Sequence, residues 1–169
     1  MNSLEIAYCL NNIGSLRKIN GGVVAANQLP TIHTLPYCFV ANTDADTKPG
    51  THWVAFYLDA HGDCDYFDSY GRKPNNLLFQ RFLRGRAVNW NKKQVQSYLS
   101  AACGHHSIYF LHERSAGVSL NEIVCMYGSN LDDNDASVSE FVTDVLGEAP
   151  SLVAAPNEVC QCCIRHSHP

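Results

Sequence analysis

Thr51-His52-Trp53-Val54-Ala55-Phe56-Tyr57-Leu58-Asp59-Ala60-His61-Gly62-Asp63-Cys64-Asp65-Tyr66-Phe67-Asp68 reads as two strands around a tight turn. The apolar run from Trp53 to Leu58 follows the breaker pair Pro49-Gly50. The polar turn Ala60-His61-Gly62-Asp63 reverses the chain, and Cys64 to Asp68 returns ahead of the turn Ser69-Tyr70-Gly71. Such a hairpin brings residues 52 and 68 to the same end of neighbouring strands. A carboxylate there can accept the imidazole Nδ1 proton and so fix the tautomer of a base. A lone His or Asp at a strand end is more often structural, so the hairpin by itself does not decide a function.

Further along the chain, Gln96 and the run Ser100-Ala101-Ala102-Cys103-Gly104-His105 complete the inventory that amide hydrolysis needs. A thiol attacks only as thiolate, a base must hold and return its proton, and a third group must orient that base. Small residues flank Cys103, and Ile108-Tyr109-Phe110-Leu111 follow in a helix-like stretch. A cysteine at a helix N-terminus gains from the macrodipole and free amides, which lower its pKa and can also hold an oxyanion. Against this stands the ordinary role of a buried cysteine, which is core packing.

The coarse organisation is α+β. Residues 3–10 suggest a capped helix and residues 36–42 a first strand, followed by a polar loop from Thr43 to Pro49. Leu77, Leu78, Phe79, Phe82 and Leu83 form a helical stripe after Pro74, and Ala87 to Trp90 a further strand. A long central helix is expected over 104–114. Two more helices are expected over 119–127, opened by Ser119-Leu120-Asn121-Glu122, and over 137–146.

Three segments carry a family resemblance: Gly50-Thr51-His52-Trp53-Val54-Ala55-Phe56, Tyr66-Phe67-Asp68-Ser69-Tyr70-Gly71, and Gln96-Ser97-Tyr98-Leu99-Ser100-Ala101-Ala102-Cys103-Gly104. The chain resembles the adenovirus protease (adenain) family and its relatives in virus-like DNA transposons and small DNA viruses, from about Pro36 to Ala116 and more weakly to Leu146. The resemblance implies a mostly antiparallel central sheet with the catalytic Cys at the N-terminus of a central helix. It also implies His52 as base, Asp68 as orienting acid, Cys103 as nucleophile and Gln96 as oxyanion-hole side chain, with Trp53 and Gly104 supporting the cleft. The frame Gln-x6-Cys-Gly is specific. SUMO-specific and other ubiquitin-like proteases share the His-Trp, Asp, Gln, Cys-Gly order, but they usually carry Asp-Cys-Gly with the Gln one residue closer, so Ala102-Cys103 favours the adenain side. Papain-like enzymes place Cys before His and fit poorly. The adenoviral enzyme has a Glu where this chain has Asp68. Its cysteine that pairs with an activating peptide falls near Ala87, and no cysteine lies between Cys64 and Cys103, so a disulfide with an activating peptide is not expected.

Composition suits one compact catalytic domain over residues 1–148 with an irregular tail over 149–169. The chain has 169 residues, 46% hydrophobic and 17% charged, enough for a sizeable core. No run approaches a membrane span, and Met1-Asn2-Ser3-Leu4-Glu5 lacks the pattern of a signal peptide, so a soluble protein in a reducing compartment is expected, with no membrane partner. Eight cysteines then read as thiols rather than a disulfide scaffold, with Cys9, Cys38, Cys64 and Cys125 in the core. In the tail, Cys160-Gln161-Cys162-Cys163, His166 and His168 are spaced too tightly for a zinc site, and no metal or other required cofactor is expected. His105-His106 reads as packing or as cleft rim rather than as the base.

Charge is unevenly placed. Arg72, Lys73, Arg81, Arg84, Arg86, Lys92 and Lys93 form an acid-free segment, whereas residues 115–164 hold eight acids and no Lys or Arg. The bland reading pairs the two regions. The functional one lets Arg81, Arg84, Arg86, Lys92 and Lys93 touch nucleic acid, and the resemblance adds stimulation by DNA as a further expectation. By resemblance, the substrates would be viral or transposon capsid precursors cut after small residues, often at Gly-Gly-type sites, in a host nucleus or virion. A ubiquitin- or SUMO-type isopeptidase is the enzyme alternative, and an idle DNA- or capsid-binding scaffold the non-enzyme one.

Overall fold

The computed structural model describes residues 1–147. The expected tail over 149–169, with its Cys/His cluster, lies outside the described residues. Ten elements follow in the order α1 (Ser3–Asn12), β1 (Asn20–Val24), β2 (Tyr37–Asn42), β3 (Trp53–Leu58), β4 (Cys64–Phe67), α2 (Leu77–Phe82), β5 (Val88–Trp90), α3 (Cys103–Ser115), α4 (Leu120–Met126) and α5 (Leu131–Gly147). The architecture is α+β. One five-stranded sheet runs in the order β1-β2-β3-β4-β5, with an antiparallel centre (β2-β3 and β3-β4) and parallel edges (β1-β2 and β4-β5).

The near-continuous apolar runs of β2 and β3 are explained by burial on both faces. Side chains alternate across a strand, so each run must supply two cores. Cys38, Val40, Ala55, Tyr57 and Phe67 face a cluster completed by α1, α3, α4 and α5, where the Phe67 and Phe110 rings stack at 4.8 Å. Phe39, Ala41, Val54, Phe56, Leu58 and Tyr66 face the opposite cluster, closed by Phe79 and Leu83, with Phe39 and Phe56 stacked at 4.7 Å. The α1 helix begins with a capping box, in which Asn2 accepts from the Leu4 and Glu5 amides and Glu5 accepts from the Asn2 amide. The α4 helix begins with the expected Ser119–Glu122 box.

Three details depart from the sequence expectations. β1 was not anticipated, because Asn20-Gly21-Gly22 reads as a turn. The strand forms with a register shift between Asn20 and Val23, and Gly21 lies where any Cβ would collide with the Tyr37 ring. α5 starts at Leu131 rather than Ser137; its first turn is rich in Asp and Asn and shows no apolar period. Cys125 is exposed, not core, because α4 turns Leu120 and Ile123 inward and Cys125 outward.

Candidate active site

His52 immediately precedes β3 and Asp68 immediately follows β4, so the hairpin brings both to one end of the sheet. The β3-β4 register pairs Ala55 with Phe67; extended past the ladder, it puts His52 opposite Tyr70 and diagonal to Asp68. Both relations appear in the side chains. The His52 and Tyr70 rings stack with centroids 4.9 Å apart, and His52 Nε2 lies 2.8 Å from Asp68 Oδ1. The expected contact through Nδ1 is thus corrected to Nε2. A diagonal neighbour is further away than a direct one, and only the outer nitrogen of the ring reaches the short Asp side chain.

Asp68 is held from several sides. Its Oδ1 also accepts the Tyr70 amide at 2.9 Å. The buried Asn91, just past β5, brackets its backbone: Asn91 Oδ1 accepts from the Asp68 amide at 2.9 Å, and Asn91 Nδ2 donates to the Asp68 carbonyl at 2.6 Å. The next residue, Ser69, ties the acid loop to the Gln96 segment. Its carbonyl accepts the Val95 and Gln96 amides, and its hydroxyl donates to Gln96 Oε1. Gly71 makes this approach possible. Its φ is +71°, and a Cβ there would sit 2.9 Å from the Lys93 carbonyl carbon.

Gln96 is fully buried, and its Nε2 donates to the Ser100 carbonyl at 2.9 Å and to the Ser100 hydroxyl at 3.3 Å. Three residues after Ser100, Cys103 opens α3. The N-cap is Ala102, which makes no side-chain cap bond, and the first turn carries no acid. Gly104 packs under Met1 and Ile6, where a Cβ would come within 3.1 Å of Met1 Sδ.

The electrostatics of the imidazole follow from this setting. Burial alone would lower the His52 pKa, but hydrogen bonding to Asp68 and to the Cys103 thiol, together with their negative charge, outweighs it and raises the value to about 9. With Nε2 engaged by Asp68, Nδ1 is buried with no hydrogen-bond partner of its own and is the nitrogen left to serve the thiol. The ring thus sits between a carboxylate and a sulfur at neutral pH as an imidazolium. It can hold a thiolate in place and give up its proton when the charge on sulfur is consumed.

Trp53 is half-buried and lines a cleft of about 840 Å3 with Thr51, Asn42, Gln28 and Met1, to which His52, Asp68, Gln96 and Cys103 contribute no lining. His106 is fully buried and bonds to Asp135 and Tyr127, whereas His105 is half-buried, with burial pushing its pKa down to about 4. The basic segment is dispersed. Arg86 donates to the Gly62 carbonyl at 2.8 Å and Lys93 to the Tyr127 carbonyl at 2.6 Å, while Lys92 lies over the Trp90 ring. Arg81 and Arg84 are exposed, and among the described residues no ion pair joins the basic segment to the acids after Ser115. Asn91, Ser69 and Tyr70 were missed as parts of the site. Ser69 and Tyr70 follow the acid directly, whereas nothing local marks Asn91.

A thiol at a helix start, an imidazole beside it, and a carboxylate behind the imidazole are the parts of a thiol-hydrolase site. No family model matches the chain. It is similar to a cysteine protease of African swine fever virus, 28% identical over 107 residues that cover 50% of this chain and 36% of that protein. It is also similar to a SUMO-1 cysteine protease of another isolate of that virus, 34% identical over 85 residues, covering 45% of this chain and 27% of the relative. The matched stretch therefore spans about a third of these relatives. A crystal structure of the African swine fever virus protease aligns over 64% of this chain and 43% of its own length, at 26% identity and a TM-score of 0.44. Of the resemblance expected, these comparisons bear out the coarser part, a likeness to viral cysteine proteases of the ubiquitin-like-protease type, and do not show adenovirus protease specifically.

Proposed function

We propose that the chain is a thiol-dependent cysteine endopeptidase. The observation that carries the reading is the His52 ring, bonded to Asp68 at 2.8 Å and acting on the Cys103 thiol at the start of α3. In this mechanism Cys103 Sγ, as thiolate, attacks a scissile peptide carbonyl carbon. The carbonyl π electrons move to oxygen, which is held by the Gln96 N–H that otherwise meets the Ser100 hydroxyl and by the Cys103 amide. As the intermediate collapses, the C–N bond breaks and His52 Nδ1 protonates the leaving amine. Water, deprotonated by His52, then attacks the thioester, and the thiol is released. Asp68 keeps the ring oriented throughout and stabilises its charge.

The substrates proposed are precursor proteins of a virus or transposon, cut at small-residue sites of Gly-Gly type. The similarity to viral cysteine proteases supports this. One relative is named for SUMO-1, which favours a second reading, an isopeptidase of ubiquitin-like proteins. DNA contact through exposed Arg81 and Arg84, and action in a nucleus or virion, are further parts of the proposal. Among the described residues no helix is long and apolar enough to cross a membrane.

The test sets fluorogenic Gly-Gly peptides against ubiquitin and SUMO conjugates, using wild type and Cys103→Ala. Cleavage of the peptides that disappears in Cys103→Ala is expected, and turnover retained by that variant would refute the mechanism. Preferential cleavage of the conjugates would move the assignment to the isopeptidase.

A further inference from the structure

Behind the candidate site lies a second buried imidazole–carboxylate pair that the proposed mechanism does not use. His106 Nε2 is 2.7 Å from Asp135 Oδ1, and His106 Nδ1 is 3.1 Å from the Tyr127 hydroxyl. An ionised carboxylate can only accept, so Nε2–H donates to Asp135, and in the neutral ring Nδ1 accepts from Tyr127. His106 has no exposed surface, and Asp135 and Tyr127 are nearly as buried.

What distinguishes this pair from ordinary core polarity is where its other bonds go. Asp135 Oδ2 accepts the amide of Ser97 at 3.1 Å. The neighbouring Asn134 donates through Nδ2 to the carbonyl of Val95 at 3.1 Å, while its Oδ1 accepts the Gly128 amide. Val95 and Ser97 flank Gln96. The first turns of α5 thus hold the backbone on both sides of that residue, and His106 ties the same carboxylate to α3 one turn after Cys103. On the opposite edge of the segment, Ser69 holds the Val95 and Gln96 amides. Buried polar networks that satisfy every member are rigid, and they hold geometry at the scale that oxyanion stabilisation demands.

We propose that Asp135, with His106 and Asn134, is a positioning unit that sets the Gln96 carboxamide against the N-terminus of the Cys103 helix. This rests on the reading of Gln96 as the oxyanion donor. A small alkylating agent provides the contrast, because its reaction with Cys103 needs the thiolate and His52 but no oxyanion hole, whereas acyl transfer needs all three.

The experiment compares wild type, Asp135→Asn, Asn134→Ala, Gln96→Ala and the double variant Gln96→Ala/Asp135→Asn. For each it reads the iodoacetamide rate at Cys103, kcat and KM on a Gly-Gly peptide, the melting temperature, and hydrogen exchange at amides 95–97. Asp135→Asn is expected to lower kcat about tenfold or more with KM within about twofold. Alkylation should change by no more than about twofold, and the substitution should add almost nothing in the Gln96→Ala background. Exchange should quicken at the Ser97 amide. Additive losses in the double variant, or alkylation falling in step with kcat, would overturn the proposal. If Asp135→Asn does not fold, Asn134→Ala carries the same contrast through Val95. If wild type shows no Cys103-dependent turnover, the protease reading itself fails; exchange at 95–97 unchanged by either variant would then separately refute the positioning role.

Discussion

His52 and His105 respond to pH in opposite directions because one has gained anionic partners and the other burial, reinforced by the positive charge of the N-terminus. His52, raised from 6.5 to about 9, binds its proton more tightly in the folded chain. Its contribution to stability is complete below pH 6.5 and is lost as the pH climbs through 9. His105, lowered from 6.5 to about 4, resists protonation when folded, so its contribution is present above pH 6.5 and is lost as the pH falls toward 4. Thermal midpoints should fall on both sides of a maximum near pH 6.5, and Asp68→Asn should flatten the alkaline limb while leaving the acid limb in place. Tyr70 belongs to the same scale. Its ring stacks on His52, and an aromatic face favours the charged form of the imidazole. Tyr70→Leu should therefore shift the His52 titration, followed by NMR, to lower pH, whereas Tyr70→Phe should not. Asn91→Ala removes two bonds to the Asp68 backbone and leaves buried groups unpaired, with an expected cost of about 1–3 kcal/mol in chemical denaturation.

At the level of elements, the site depends on a close approach between the loop after β4 and the segment leading to α3. Gly71 is the point of contact, with a left-handed backbone and the Lys93–Gln94 peptide against its Cα. Gly71→Ala should lower stability by about 1–2 kcal/mol from the backbone alone, with a further loss as the Gln96 segment is pushed away. Denaturant unfolding together with peptide turnover would show both. Motifs and helix or strand signals made the hairpin, the α3 start and the Ser119–Glu122 capping box legible, because each depends on near neighbours in the chain. The first turns of α5 and the β1 strand were not legible. Asp132 to Asp135 shows no apolar period, and Gly21-Gly22 reads as a turn until Tyr37 is known to lie across it.

Across the whole molecule, one sheet separates two cores, and the candidate site lies where the β3-β4 end meets the start of α3. The basic segment that stands out in the sequence is divided by the fold. Arg86 and Lys93 serve backbone carbonyls, and Arg81 and Arg84 remain exposed. If the proposed DNA contact is made, Arg81→Ala/Arg84→Ala should reduce the slope of log K against log salt by about 2 in fluorescence anisotropy titrations. An unchanged slope would remove these two residues from any such contact. The sequence by itself determined the α+β class, the hairpin that brings His52 to Asp68, and the helix beginning at Cys103, because local periodicity, turn chemistry and short motifs specify them. Only the tertiary structure decided which imidazole nitrogen meets the carboxylate, that Asn91 brackets the acid, and that Asn134 and Asp135 grip the chain on either side of Gln96. Those contacts join residues 16 to 39 positions apart, and their geometry is set by strand register and helix packing, which no local pattern encodes.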